Sequence, residues 1–151
     1  MTLQDAFRKL DDVRDEYGAA RLAIGHVLVA GKNDPSLNDL GGQGQITFRH
    51  LESCARNLEI TYFVRLFAEF EGVLRDYWLD GRKRKTNPPM IDLINSIASY
   101  CFVNNDDMQN AHEVREYRND VIHDHLQHPR FDFQTCRSRL ASFVRWLPRK
   151  W

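Results

Sequence analysis

Apolar residues recur at intervals of three and four along almost the whole chain, and this spacing restricts the fold more than any other feature. The first segment shows it at five positions, Leu3, Phe7, Leu10, Val13 and Tyr17. A longer run with the same spacing extends from Leu51 to Tyr77. No pair of segments alternates apolar and polar residues as neighbouring strands would. The sequence therefore predicts an all-α fold.

Turn-forming residues divide this pattern into five predicted helices. The first helix is expected to begin at a capping box made by Thr2 and Asp5, and to end near Ala30. Residues 31–45 are rich in Gly, Asn, Asp and Pro, which predicts a long loop. The other helices are expected over residues 47–77, 90–103, 104–122 and 133–147. With 151 residues the chain has room for one compact domain, so we expect a single-domain helical bundle.

Composition narrows the function classes without choosing among them. Lys and Arg number 21, as do Asp and Glu, so no overall positive field points to nucleic acid and a basic surface would have to be local. The three cysteines, Cys54, Cys101 and Cys136, lie far apart among apolar residues and are expected to be reduced, buried thiols. The charged first residues and the lack of a long apolar run predict a cytoplasmic protein that does not enter a membrane.

The sequence GRKRK places four cations in the turn before the third predicted helix: Arg82, Lys83, Arg84 and Lys85. Such a cluster can bind RNA phosphates, with an affinity that falls steeply as salt is added. It can equally be a solvated turn that keeps the protein soluble. The RNA-binding interpretation of the turn is of interest only if a reactive site lies near it.

Several other motifs favour an ordinary structural role. The tripeptide GGQ at Gly41–Gln43 occurs at the hydrolytic tip of peptide-release factors, but nothing else of such a factor is present. Asp124 and the histidines His123, His125 and His128 could form a metal cluster only if the helix has ended there. His112 and Glu116, four residues apart, are expected to form a solvent-facing hydrogen-bonded pair. We therefore predict neither a metal site nor a cofactor.

Arg118, Asn119 and His123 form a different kind of group, because they suit RNA cleavage without a metal. The reaction needs a base for the 2′-hydroxyl proton and a cation for the charge that develops on the phosphate. Histidine and arginine are suited to these two tasks. Asn119 lies four residues before His123, so its amide can orient the imidazole. Arg118 and His123 are five residues apart, about 140° around a regular helix, so they would converge better across a two-fold dimer.

The segment RNDVIH, residues 118–123, resembles the R-polar-x3-H motif of the HEPN superfamily. The layout of residues 47–147 is also similar to a HEPN domain, whereas the first 46 residues add a helix and a loop outside the resemblance. Many HEPN domains are metal-independent ribonucleases of toxin–antitoxin, CRISPR and phage-defence systems. The resemblance implies a homodimeric endoribonuclease with an antitoxin or regulatory protein as a possible partner.

Under this resemblance Arg118 and His123 would be catalytic and Asn119 would support them. Asp120, Glu69 and Glu71 are weaker candidates for orienting the site. In HEPN toxins regulated by adenylylation, the tyrosine of R-x4-H-x-Y is modified, whereas this chain has His125 there. HEPN-like domains also occur as non-catalytic modules for dimerisation or for binding RNA or nucleotides. That role, and a plain helical interaction protein, remain the alternatives.

Overall fold

The computed structural model describes residues 1–34, 47–123 and 130–151, and within these ranges the protein consists of helices joined by turns. Five α-helices are present: α1 (Leu3–Asn33), α2 (Phe48–Asp76), α3 (Met90–Cys101), α4 (Asn105–Ile122) and α5 (Phe133–Val144). A π-helical turn, Tyr77–Gly81, continues α2. The predicted all-α class and the order of its helices are confirmed.

The helices α1, α4 and α5 begin where the sequence supplies side chains that satisfy free backbone N–H groups. At the start of α1, the Asp5 N–H donates to Thr2 Oγ1 at 3.1 Å, and the Thr2 N–H donates to Asp5 Oδ2 at 3.1 Å. Asn104 accepts a hydrogen bond of 2.7 Å from a backbone N–H at the start of α4. Asp132 does the same for α5 at 2.6 Å. These caps confirm three of the predicted helix starts.

Aromatic rings from the second half of α2 form the centre of the core. Phe63, Phe67 and Phe70 are at most 2% exposed. Phe70 contacts the ring of Phe143 on α5 edge to face, with centroids 5.8 Å apart. Phe63 packs against Tyr117 of α4 at 4.6 Å, so α2 and α4 share a continuous aromatic contact. This packing holds the last two turns of α4 against the middle of the bundle.

The helices α1 and α2 run antiparallel, because Glu16 contacts Arg65 and Gly31 contacts Phe48. A Cβ atom on Gly31 would lie 2.2 Å from the Phe48 ring, so a side chain at this position would displace the ring. Only the first half of α1 contributes large side chains to the core. Its second half leaves Leu22 67% exposed and Val29 62% exposed.

The cysteine prediction is wrong at one position. Cys136 is buried, and its burial raises the pKa of the thiol to about 12. Cys101 is half-buried and its thiol donates to the Tyr77 hydroxyl at 3.5 Å. Cys54 is exposed, because the first half of α2 packs on α1 along one side only. In the described ranges, no helix has the length and apolar character that spanning a membrane would require.

Candidate functional site

Arg118 lies one turn before the end of α4 and points towards α2. Its guanidinium carbon is 5.6 Å from the centre of the Phe67 ring, and its Nη1 donates to Asn119 Oδ1 at 3.1 Å. Its Nε is buried and has no hydrogen-bond partner among the described residues. The side chain is therefore positioned by packing, and it retains donor capacity that the described protein groups do not use.

His123 lies immediately after α4 and is exposed to solvent. Its backbone has φ −92° and ψ 10°, and its N–H donates to the Asn119 carbonyl at 3.0 Å. The helix therefore stays regular up to Ile122, so the angle of about 140° between Arg118 and His123 that a regular helix predicts applies here. Arg118 leans towards the core while His123 faces solvent at the helix end. Asn119 Oδ1 contacts Arg118, so the structure pairs this amide with the arginine of the motif.

The weaker candidates are engaged elsewhere. Asp120 forms an ion pair with Arg130 at 3.3 Å, and Glu71 pairs with Arg75, four residues on, at 2.6 Å. Glu69 is half-buried on α2; the pKa of Arg65 is raised mainly by its hydrogen bond to Glu16, and the negative charge of Glu69 adds a smaller effect in the same direction. Asp120 lies within the segment 118–123, between Asn119 and His123. Neither Glu69 nor Glu71 forms a hydrogen bond or an ion pair with Arg118.

The basic turn follows the π-helical turn and folds back against α3. A Cβ atom on Gly81 would lie 2.6 Å from the Tyr77 ring, and Lys83 adopts a left-handed backbone conformation with φ 54°. The guanidinium of Arg82 lies 3.6 Å from the centre of the Tyr100 ring, and Arg84 Nη2 donates to the Tyr100 hydroxyl at 3.3 Å. The Arg84 hydrogen bond is the main reason why the pKa of Tyr100 is lowered.

Two of the four cations therefore contact one tyrosine, while Lys83 and Lys85 are exposed. Tyr100 was not identified from the sequence as a site residue. The available signal was Ser96, which lies four residues earlier and therefore on the same side of α3 as Tyr100.

The predicted pair of His112 and Glu116 is wrong. His112 Nε2 lies 2.8 Å from Asn95 Oδ1 on α3, and Glu116 instead accepts from Arg115 at 3.2 Å. Burial is the main cause of a lowered pKa at His112, and the positive charge of Arg115 acts in the same direction. His112 thus links α4 to α3.

Two hypotheses from the sequence, the metal cluster and the GGQ tripeptide, involve residues outside the described ranges. Asp124, His125 and His128, and the tripeptide Gly41–Gln43, lie outside the described residues. Across residues 1–34, 47–123 and 130–151, no group of three or more His, Cys, Asp or Glu side chains is arranged to hold a metal ion.

Comparison of the chain with protein-family models, with curated proteins and with solved structures finds no match. A function for the protein therefore has to come from the chemistry of the residues at the end of α4.

Proposed function

We propose that the protein is a metal-independent endoribonuclease of the HEPN type, acting as a toxin or phage-defence effector. The main support for this proposal is the end of α4. Arg118 is fixed there by Phe67 and Asn119, and His123 is open to solvent. A fixed cation and an exposed imidazole on one short segment are the groups that cleavage of RNA by its own 2′-hydroxyl requires.

In this reaction His123 takes the proton of the 2′-hydroxyl, and the 2′-oxygen attacks the adjacent phosphorus. The bond from phosphorus to the 5′-oxygen breaks, and the leaving oxygen takes up a proton from His123. The products are a 2′,3′-cyclic phosphate and a free 5′-hydroxyl. Arg118 stabilises the charge on the phosphate oxygens with the Nη groups of its planar guanidinium.

Dimerisation through the end of α4 would bring Arg118 of one protomer towards His123 of the other. Ile122, beside His123, is 45% exposed although it is a large apolar residue, which suits an interface. We expect a two-fold dimer that buries about 1,200 Å² or more in total. Ile122→Glu should give a folded monomer, because its side chain is exposed, and should abolish cleavage. Light scattering and cleavage assays measure both effects.

The matched control is Val29→Glu, which introduces the same charge at an exposed apolar position of α1. This variant should remain dimeric and active. A wild-type monomer, or a dimer that survives Ile122→Glu, would contradict an interface at the end of α4.

The proposed chemistry uses only side chains, so cleavage should persist when divalent cations are chelated. We expect the rate in excess EDTA to stay within about twofold of the rate without it, since His123 and Arg118 supply the roles that metal ions play in other nucleases. The measurement is cleavage of a labelled RNA at constant ionic strength. Loss of activity in EDTA, with recovery on adding Mg²⁺ or Mn²⁺, would contradict the proposal.

A non-catalytic RNA- or nucleotide-binding module of HEPN type is the second candidate. It is favoured by the contact of Arg118 with Phe67 and Asn119, since an arginine packed in this way can also have a purely structural role. Expression of the wild type and of His123→Ala distinguishes the two candidates. Growth arrest and RNA degradation by the wild type alone support the nuclease.

A further inference from the structure

A cleft of about 520 Å³ lies between the basic turn and α3. Two aromatic side chains, Trp78 and Tyr100, line it together with Arg84, and its remaining lining residues are uncharged and polar. No carboxylate is among the lining residues. The cleft therefore offers ring surfaces and one cation, without a negative charge to repel an anionic ligand.

The rings are held in place by neighbouring groups. Trp78 Nε1 donates to Thr86 Oγ1 at 3.2 Å, which fixes the indole against the turn. The centroids of Trp78 and Tyr100 are 6.4 Å apart and the rings are inclined at 49°, so they form two walls of a wedge. Arg82 does not line the cleft and lies 3.6 Å from the centre of the Tyr100 ring, so it supports this ring from outside the cleft. Tyr100 nevertheless remains 41% exposed.

The backbone of the turn holds Arg84 at the rim of the cleft. The Arg84 N–H donates to the Trp78 carbonyl at 3.1 Å, and the preceding Lys83 has φ 54°, a left-handed conformation that favours glycine. The guanidinium donates to the Tyr100 hydroxyl at 3.3 Å and forms no ion pair with a described carboxylate. A phosphate at the rim can use the remaining donors.

The face of α4 that contacts one lining residue of the cleft also carries His123. Asn95 lines the cleft and contacts His112, which is eleven residues before His123. Eleven residues make three helical turns plus about 20°, so His112 and His123 lie on the same face of α4, about 16 Å apart along the helix axis. A single RNA strand can therefore contact the cleft and the reactive end of α4 together.

We infer that this cleft binds one unstacked base of a single-stranded RNA, on Trp78 and Tyr100, with the neighbouring phosphate on Arg84. Aromatic side chains and arginines bind single strands in this way, whereas a paired base cannot leave its stack to enter such a wedge without a penalty. The inference rests on the proposed function, because it specifies the substrate as a single strand that reaches His123 from the basic turn.

Binding is measured by fluorescence anisotropy with full-length His123→Ala protein, which is expected not to cleave. The probes are a labelled single-stranded RNA, a strand of equal length without bases, and a duplex of the same sequence. Tyr100→Leu should weaken binding of the single strand about 5- to 150-fold, the effect of one lost stacking contact, and should leave binding of the base-free strand unchanged. Tyr100→Phe should bind like the parent, because it keeps the ring.

Tyr62→Leu is the matched control, since Tyr62 also has an arginine, Arg65, over its ring at 6.0 Å but lies away from the cleft on α2. It should bind like the parent. Arg84→Gln should weaken binding of the single strand and of the base-free strand alike and should reduce the salt dependence by about one phosphate contact. Circular dichroism confirms that each variant is folded.

Unchanged binding by folded Tyr100→Leu, while the wild type cleaves RNA, would overturn this inference and leave the proposed function intact. Equal losses for the base-free strand, or for the duplex, would also overturn it, since base stacking would then not be the interaction lost. Tight binding of AMP that displaces the strand would assign the cleft to a free nucleotide instead. Absence of both binding and cleavage would refute the proposed function together with the inference.

Discussion

Replacing His123 with alanine is expected to lower the rate of RNA cleavage by about 10²- to 10⁴-fold, the usual contribution of a general acid or base. The side chain is exposed beyond the last turn of α4, so its removal leaves no cavity in the core. Stability and RNA affinity should therefore stay close to wild-type values. The rate is measured in single-turnover experiments with protein in excess, which separate the chemical step from binding.

The control for this variant is His26→Ala, which removes another exposed histidine, on α1, outside the proposed site. Its cleavage rate should equal that of the wild type. Full cleavage by folded His123→Ala would exclude a catalytic role for this histidine and would favour the non-catalytic binding module. A rate lost together with RNA affinity would point to a binding role for His123.

The elements of this fold follow from local sequence chemistry. Thr2, Asn104 and Asp132 are capping residues directly before apolar repeats, and hydrogen bonds to their side chains depend only on nearby backbone. The second half of α2 was likewise predictable as the centre of the core, because the spacing of its aromatic residues identifies the buried face of the helix. In both cases the information lies within one or two helical turns of the residue concerned.

The site depends instead on contacts between helices, which spacing along the chain cannot show. Asn95 and His112 are 17 residues apart and meet only because α3 packs on α4, so the sequence suggested Glu116 as the partner of His112 instead. Tyr100 and Arg82 come together only when the basic turn folds back after Gly81. The sequence identified the cations of this turn but not the aromatic rings beside them.

Arg118→Ala is expected to lower the rate by about 10²- to 10³-fold, the loss seen when one donor to a developing oxyanion is removed. Lysine at position 118 should restore only part of the rate, because a point charge cannot reproduce the guanidinium fork. The matched control is Arg115→Ala, one turn earlier on α4. Its side chain is 16% exposed, and its Nε, like that of Arg118, is buried without a hydrogen-bond partner. Both variants should lose similar stability in denaturant titrations, and only Arg118→Ala should lose cleavage.

A mixed dimer of one Arg118→Ala chain and one His123→Ala chain tests whether the site is shared between protomers. If each site takes its arginine from one chain and its histidine from the other, one of the two sites in this dimer contains both groups. Differently tagged chains, purified as the heterodimer, should then recover about half of the wild-type rate, because a two-fold dimer has two equivalent sites. If each chain forms its own site, both sites lack one group and the heterodimer stays as inactive as the parent variants. That result would contradict a site shared between protomers. The roles of Arg118 and His123 would then be judged from the cleavage rates of the single variants.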